Sequence, residues 1–507
     1  MHRSSGIILP VTALPSEYGI GDLGAGARRF LDFLADAGQS CWQILPMGQP
    51  SGGASPYQTD SAFACDPAWI DPEGLVEAGL IAGETVEQIF REIHGKRAGA
   101  GGSRVDHVKA RAAKDAVLRY AWTRFHEAAD EEFAELRGGL RAFCEANDRW
   151  LRDYCLYRAL KKQFGGASWT EWPAEYRNSR ELPDTGELRG EADYQAFVQF
   201  VFRTQWDKLR AYAREKGIKI IGDIPIYVPL DSADVWAHRH CFQLDADGRP
   251  TRVAGCPPDY FSEEGQLWGN PLYDWDFIRE TGYRWWIDRI GWLSGLVDVL
   301  RIDHFRGFAS YYSIPADAKT AKEGRWEPGP GMDLIGRLTS WFNELEMIAE
   351  DLGTLTEDVF RLLEDSKLPG MKVLQFAFDP KADSAYLPHK YEKNCVCYTG
   401  THDNDTLAGW LAHGPEEETA FAKAYLGLND EEGPLWGVIR GGMASAADLF
   451  MMQLQDVLGL GSEARMNEPG TVSDENWSWR VTAEQITGSG AEALAARLRA
   501  MTKMYGR

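Results

Sequence analysis

The amino-acid sequence predicts an α/β fold, a parallel (β/α)8 TIM barrel with helical and loop insertions. Eight short apolar segments with strand character recur along the chain, and stretches with helical spacing precede most of them. Strands that alternate with helices imply a parallel sheet, and eight such units can close into a barrel. The length of 507 residues would also suit three serial domains of about 150 residues, so the strand pattern decides between the two.

The predicted strands are short apolar runs bounded by Gly, Pro or polar residues. They span residues 6–10, 41–45, 218–224, 297–302, 346–350, 372–377, 394–399 and 464–467. Helices are predicted at 27–37, 197–216, 285–296, 334–345 and 356–365. The last strand is the least distinct of the eight, and it follows an apolar segment at 444–460.

Two gaps between strands are too long for simple barrel loops. The two predicted insertions are a mainly helical subdomain at 65–190, with a Gly-rich surface loop at 95–103, and an irregular segment over the cleft at 231–274. The barrel takes the remaining residues: strands one and two at 1–64, the region of strand three at 191–230, and strands four to eight with a C-terminal helix at 275–507. Too few residues follow the last predicted strand to form a C-terminal β-sandwich.

Charge and targeting signals exclude several classes of protein. The chain has 54 Lys and Arg against 76 Asp and Glu, a net charge of −22, which argues against nucleic acid or an anionic membrane as partner. No apolar run reaches the ~18 residues of a membrane span, and no signal peptide is expected. The eight cysteines are dispersed and predict reduced thiols in the cytoplasm. Cys395 and Cys397 lack a second pair that would complete a metal site.

Three carboxylates follow predicted strands at the end where barrels place their chemistry. Asp303 follows strand four, Glu350 ends strand five and Asp403 follows strand seven. Acids also end strands as turn residues or helix caps, but three on one rim suit retaining glycosidic chemistry, which needs a nucleophile and a proton donor about 5 Å apart. Arg301 points to the same side of its strand as Asp303 and would favour the ionised carboxylate.

Neighbouring residues fit the same chemistry. Glu350 has apolar neighbours in sequence, which could raise its pKa as a general acid requires. Asp351 beside it opposes a simple interpretation, because one of the two must face away. His304 and His402 flank the two aspartates. A lone histidine is often structural, but two beside rim carboxylates suggest contacts with sugar hydroxyls or charge tuning.

Longer motifs make a family resemblance visible. RIDHFRG at 301–307, AEDLG at 349–353 and GTHDND at 400–405 resemble the catalytic regions of the α-amylase clan. In detail the chain looks like the amylomaltases, or 4-α-glucanotransferases (disproportionating enzymes), of glycoside hydrolase family 77. Over nearly the whole chain the resemblance also includes SPYQ at 55–58, GDIPIYV at 222–228, PPDYF at 257–261, GQLWGNP at 265–271, GMKVLQF at 370–376, RMN at 465–467 and PGT at 469–471.

The resemblance implies roles for particular residues. It makes Asp303 the nucleophile, Glu350 the general acid/base and Asp403 the stabiliser of the transition state. The expected sugar contacts in the cleaved-bond subsite are Tyr57, Asp223, Arg301 and His402, with Trp268 and Asn467 as further glucan contacts. The segment 231–274 looks like the loop that overhangs the cleft in such enzymes.

Three positions depart from the family pattern. Cys65-Asp66 replaces the usual Gly-Asn, Cys256 stands where Val is common, and Ser473-Asp-Glu475 interrupts the final motif where a Gly usually precedes Asn-Trp. None is a catalytic carboxylate, so the departures concern loop shape and the acceptor side.

The expected reaction is a double displacement in which a segment of one α-1,4-glucan passes to the 4-hydroxyl of another glucan or of glucose, with retention of configuration. Donor and acceptor would be α-1,4-glucans and maltooligosaccharides. The chain has 19 Trp, 19 Tyr and 22 Phe. Acceptor platforms that exclude water could include Trp268, Tyr260, Phe261 and Phe376, although each ring fits a core position equally well.

No cofactor is expected, because no G-x-G-x-x-G follows a strand and no Walker loop is present. No acid-rich loop has calcium-ligand spacing, so no metal is expected either. A monomer is slightly favoured. One alternative function is a hydrolase of the same clan, opposed by the expected lack of a terminal β-domain and by Pro225 and Ile226, which stand where Asn-His would be. The other is a non-catalytic glucan-binding protein, opposed by the complete set of rim carboxylates.

Overall fold

The computed structural model describes residues 2–94, 102–178, 185–258, 263–353 and 355–507. Within them the strands are β1 (Ser4–Ile8), β2 (Cys41–Gln43), β3 (Lys219–Ile224), β4 (Arg252–Cys256), β5 (Gln266–Pro271), β6 (Val299–Ile302), β7 (Ser310–Pro315), β8 (Arg325–Pro328), β9 (Glu346–Ala349), β10 (Gly370–Val373), β11 (Cys395–Tyr398) and β12 (Leu449–Gln453).

The helices of the same residues, short 3-10 turns aside, are α1 (Ala25–Asp36), α2 (Pro72–Glu77), α3 (Gly83–His94), α4 (His107–Glu127), α5 (Ala134–Gln163), α6 (Gly186–Glu215), α7 (Ala233–Ala237), α8 (Trp275–Glu280), α9 (Arg284–Ser294), α10 (Gly331–Trp341), α11 (Glu357–Ser366), α12 (Leu407–His413), α13 (Glu416–Leu426), α14 (Pro434–Ala444), α15 (Leu454–Leu458), α16 (Ala483–Thr487) and α17 (Ser489–Met504).

Eight parallel strands close into a barrel in the order β1-β12-β11-β10-β9-β6-β3-β2, which confirms the predicted (β/α)8 class. The barrel interior is an apolar cluster to which all eight barrel strands contribute. Its buried members are Ile8, Cys41, Ile221, Val299, Ile348, Met371, Val373, Val396, Tyr398, Leu449 and Met451. Parallel strands that are covered on both faces have continuous apolar sequences. This explains why the barrel strands appear in the sequence as short runs of apolar residues without polar alternation.

Seven of the predicted strands overlap barrel strands, but the prediction at 464–467 is wrong. The eighth barrel strand is β12, inside the apolar segment 444–460, whereas 462–464 forms a 3-10 turn that leads into a loop. All five residues of β12 are buried, so they show no polar and apolar alternation. Periodicity alone cannot separate such a run from a buried helix.

A second, four-stranded antiparallel sheet has the order β5-β4-β7-β8. Two of its strands lie inside the predicted insertion 231–274, and two more follow β6 directly along the chain. Residues 259–262 of the insertion, with the proposed platforms Tyr260 and Phe261, lie outside the described residues, as do residues 95–101 of the predicted Gly-rich loop. The domain boundaries remain a prediction. Helix α6 continues without a break across the predicted boundary between residues 190 and 191.

Helices α2–α6 cover one side of the barrel, and charged contacts attach them to it. Arg111 of α4 makes two hydrogen bonds of 2.7 Å to the carboxylate of Asp66, and buried Lys114 contacts Asp22 at 2.9 Å. The departure at Asp66 is therefore explained: a carboxylate there pairs with Arg111. No helix among the described residues is both long and apolar enough to cross a bilayer.

Candidate active site

The two carboxylates expected to carry the reaction lie next to each other on the barrel rim. Asp303 directly follows β6 and Glu350 directly follows β9. These strands are hydrogen-bonded neighbours, with Ile302 opposite Ala349 in register. Asp403 lies on the loop that leaves β11, at the same end of the barrel. The fold thus brings the three predicted acids to one rim.

Arg301 links two of the predicted site residues. Its Nη1 lies 2.8 and 2.7 Å from the carboxylate oxygens of Asp223 and 2.9 Å from Oδ1 of Asp303. Asp223 and Arg301 are register partners on β3 and β6, and both are buried. Burial would lower the pKa of Arg301, but the two carboxylates outweigh it and keep the guanidinium charged. The Asp303 side chain, 27% exposed, is left facing the cleft beside this cation.

The surroundings of Glu350 favour the protonated form of its carboxyl group near neutral pH. Burial and the charge of Asp303 raise its pKa to about 7, against the opposing effects of Arg301 and two backbone N–H groups. Its Oε2 accepts a hydrogen bond from the N–H of His304 at 2.6 Å, and its Oε1 accepts one from Leu352 at 2.9 Å.

Asp351 faces away from the rim, as the sequence required, because its Oδ1 accepts the N–H of Met371 at 2.6 Å. His304 has φ of 50°, in the left-handed region that a non-glycine residue enters only at a cost. This conformation accompanies the hydrogen bond from the His304 N–H to Glu350. Burial lowers the pKa of the His304 ring to about 3, so the ring is neutral, and it meets Trp268 edge-on at 4.9 Å between centroids.

Asp403 has the opposite electrostatic setting. Burial alone would raise its pKa, but His402, Asn467 and the charge of Arg301 together lower it to about 2. Nε2 of His402 lies 3.3 Å from Oδ2, and Nδ2 of Asn467 donates to Oδ1 at 2.6 Å. Asp403 is therefore a carboxylate at any working pH, with a side chain 44% exposed to the cleft.

Tyr57 connects this pair to the Arg301 cluster. Its ring stacks on His402 at 4.9 Å and 22°, and its hydroxyl donates to Oδ2 of Asp223 at 2.8 Å. The predicted site residues of the rim thus form two contact groups that meet at the adjacent residues Asp303 and His304. One group runs from Asp303 through Arg301 and Tyr57 to Asp403 and Asn467, and the other contains Glu350, His304 and Trp268.

We expect Asn467→Ala to lower kcat about tenfold, because a hydrogen bond to a charged group contributes about 1.5–3 kcal/mol and half-exposure of Asp403 places the effect at the lower end. The variant removes a bond that orients the carboxylate, so KM should change less than kcat. Initial rates on maltotriose measure both. Asn429→Ala, the same change at an exposed loop position, is the control; a kcat for Asn467→Ala within twofold of the parent contradicts the expectation.

Two site residues were not predicted. Arg465 donates to the backbone oxygen of Asp403 at 2.7 Å, and it was assigned to a strand that does not form. Trp477 lies 5.7 Å from the ring of His402 and 6.0 Å from that of Tyr57, and its φ of 65° is also in the left-handed region. The Asn-Trp motif was the available signal for it.

Phe376 is 47% exposed, as a stacking platform requires. Among the described residues, no group of three or more His, Cys, Asp or Glu side chains is placed to hold a metal ion.

A closed parallel barrel whose rim carries Glu350, with a raised pKa, beside an ion-paired aspartate and a third aspartate with a lowered pKa is an arrangement typical of enzymes that process glycosidic bonds. A family model described as glycoside hydrolase family 77, 4-alpha-glucanotransferase, matches residues 9–486. The chain belongs to this family, whose members transfer segments of α-1,4-glucans, and the predicted family and reaction are confirmed.

Individual relatives agree over the full length. The chain is 45% identical to a 4-alpha-glucanotransferase of Thermus thermophilus, with 99% of this chain and 98% of the relative covered. It is 44% identical to one of Clostridium butyricum, with 98% and 99% covered. The amylomaltase of Streptococcus agalactiae, solved in complex with acarbose, superposes with a TM-score of 0.90 at 35% identity and covers 100% of this chain and 99% of that one.

Proposed function

We propose that Asp303, Glu350 and Asp403 carry out the family's glucan transfer in this chain, through a covalent glycosyl-enzyme. The observation that carries this assignment is the contrast between the surroundings of two acids on neighbouring strands. Glu350 has a pKa raised to about 7, while Asp303 lies 2.9 Å from a buried guanidinium. A carboxyl that holds its proton near neutral pH, next to an aspartate paired with a guanidinium, suits a retaining mechanism.

In the first step Asp303 attacks the anomeric carbon of the donor glucan, and the glycosidic bond breaks. Glu350 gives its proton to the leaving oxygen, so the shortened glucan departs as an alcohol. Positive charge develops at the anomeric centre, and the Asp403 carboxylate, fixed by His402 and Asn467, stabilises it.

In the second step Glu350, now ionised, takes the proton of the acceptor 4-hydroxyl, which attacks the glycosyl-Asp303 ester. Two inversions restore the original configuration. Tyr57, Asp223, Arg301 and His402 are the proposed contacts of the sugar that is transferred. Trp268, with its neighbour His304, would bind the flanking glucose unit.

Incubation with maltotriose tests the proposal. A ladder of longer glucans together with glucose supports transfer, because each transferred segment must extend an acceptor. Glucose and maltose alone would show that water takes the intermediate and would favour the hydrolase alternative.

The finer statements on partners and location are proposals of the same kind. We propose that donor and acceptor are both maltooligosaccharides, and that a monomer is sufficient, since one chain supplies every residue of the site. A cytoplasmic location is supported by the eight cysteines, all of which are free thiols.

A further inference from the structure

A single buried carboxyl group joins the two ends of the loop that carries Asp403. This loop, residues 400–406, leaves β11 and leads into α12. Asp456 lies in α15, directly after β12, and is 1% exposed. Thr399, just before the loop, donates from Oγ1 to Oδ2 of Asp456 at 2.6 Å. Leu407, just after it, donates its N–H to Oδ1 at 2.7 Å.

Other contacts are longer or hold single points within the loop. Gln453 reaches both sides, but only through two hydrogen bonds of 3.3 Å, from its N–H to Oγ1 of Thr399 and from its Nε2 to the backbone oxygen of Asp405. The backbone oxygen of Asp405 accepts hydrogen bonds from Gln375 at 2.8 Å and Gln453 at 3.3 Å. The Asp405 carboxylate accepts one from Ser462 at 2.7 Å. Asp456 makes the shorter link between the start and the end of the loop, with hydrogen bonds of 2.6 and 2.7 Å.

A buried carboxyl group lowers the stability of the fold, so a purely structural role does not explain Asp456 well. Burial raises the pKa of Asp456 to about 7, and the charge of Asp405 acts in the same direction. In the part of the chain that the structure describes, no Lys, Arg or His forms an ion pair with Asp456. A buried carboxyl without a cation destabilises a fold, so a neutral side chain would serve stability better.

We propose that Asp456 is a positioning residue for glucan transfer: by tying Thr399 to Leu407 it fixes where the Asp403 carboxylate stands on the rim. The inference rests on the proposed role of Asp403 in the transition state. Misplacement of a catalytic group by about 1 Å can lower a rate roughly 100-fold. The loss should appear in kcat, because binding of the substrate uses many other contacts.

The test uses three variants that change the hydrogen bond between Thr399 and Asp456; Thr399→Val also removes the acceptor of the longer bond from the Gln453 N–H. Thr399→Val keeps the shape of a fully buried side chain but removes the donor, Thr399→Ser restores a hydroxyl, and Asp456→Asn replaces one acceptor by an NH2 group. We expect Thr399→Val and Asp456→Asn to lower kcat for maltotriose at least tenfold with KM within about threefold. Thr399→Ser should recover most of the rate, and the double variant should be no worse than the poorer single one.

Asp298→Asn is the matched control. Asp298 precedes β6 at the opposite end of the barrel, where its carboxylate accepts from Ile220 at 3.0 Å and from Arg210 at 2.9 Å. This variant should lower the melting temperature and leave kcat unchanged when rates are measured well below it. If Thr399→Val and Asp456→Asn behave in the same way, the positioning role is overturned. Absence of maltotriose turnover in the parent enzyme would instead refute the proposed function.

Discussion

Replacement of Asp303 by Asn is expected to abolish transfer while the enzyme still binds glucan. Asn keeps the size of the side chain and an oxygen that can face Arg301, but it cannot form the ester intermediate. Loss of a catalytic nucleophile lowers kcat by up to about 10⁶-fold, which corresponds to roughly 8 kcal/mol of the activation barrier. Glucose release from maltotriose measures the rate, and calorimetric titration with acarbose measures binding.

The site should stay folded in this variant because Arg301 retains its two contacts with Asp223. The melting temperature is therefore expected to stay within a few degrees of the parent. Asp36→Asn, on the exposed face of α1, is the control and should keep full activity. More than a few per cent of parent activity in Asp303→Asn would remove Asp303 from the role of nucleophile.

The strands that could be predicted from the sequence were those with a clear boundary. Residues 218–224 follow a helix and a Gly, and the structure has β3 at Lys219–Ile224. By contrast β12 lies within a longer apolar stretch, and its burial on both faces leaves no pattern that distinguishes strand from helix. The sheet made by β4, β5, β7 and β8 was not predicted for another reason, since its central pairing of β4 with β7 joins segments about 60 residues apart and its strands carry Gly, Pro and Arg.

The site was predictable where residues share a strand end, and less so where distant segments meet. Asp303 and Glu350 follow strands, so their common rim follows from the topology of a parallel barrel. The contact of Tyr57 with Asp223, 166 positions apart, has no local signal, and only the family resemblance placed both residues at the site. Trp477 and Arg465 reach the rim through loops whose course no periodicity describes.

The protonation states on the rim also depend on three-dimensional contacts. Asp403 and Glu350 lie at the same rim of the barrel, yet their pKa values move in opposite directions. Asp403 has a histidine and an amide beside its oxygens, whereas Glu350 has the negative charge of Asp303 nearby. The surroundings of each carboxyl group, rather than its residue type, therefore raise the pKa of Glu350 and lower that of Asp403.

The pH dependence of activity should therefore depend on Glu350. Its carboxyl must be protonated when the donor bond breaks, so kcat/KM is expected to fall as pH rises through about 7, the value its pKa takes. Glu350→Gln should lower kcat/KM about 10³-fold on maltotriose, within the 10²–10⁴ that acid–base catalysis contributes. The residual activity should no longer fall with the same alkaline midpoint.

A donor with a better leaving group distinguishes loss of the general acid in Glu350→Gln from a general disruption of the active site. Fluoride needs little protonation to depart, so Glu350→Gln should form the glycosyl-enzyme from α-maltosyl fluoride much faster, relative to the parent, than from maltotriose. Glu364→Gln, the same change at an exposed position of α11, is the control and should leave the rates on both donors unchanged. Equal losses on both donors in Glu350→Gln would contradict the assignment of Glu350 as the general acid.

The same carboxyl should make the fold less stable at alkaline pH. The folded-state pKa of Glu350, about 7, lies above its ordinary value of 4.5, so the native protein binds more protons than the unfolded chain between these values. Its stabilising contribution is complete below pH 4.5 and is lost as pH rises through about 7. Glu350→Gln removes this loss, so its melting temperature relative to the parent should be higher at about pH 8 than at about pH 5. An equal difference at both pH values would mean that the parent does not keep a proton on Glu350. Gain of stability together with loss of turnover is the pattern expected where a buried acid is retained for its chemistry.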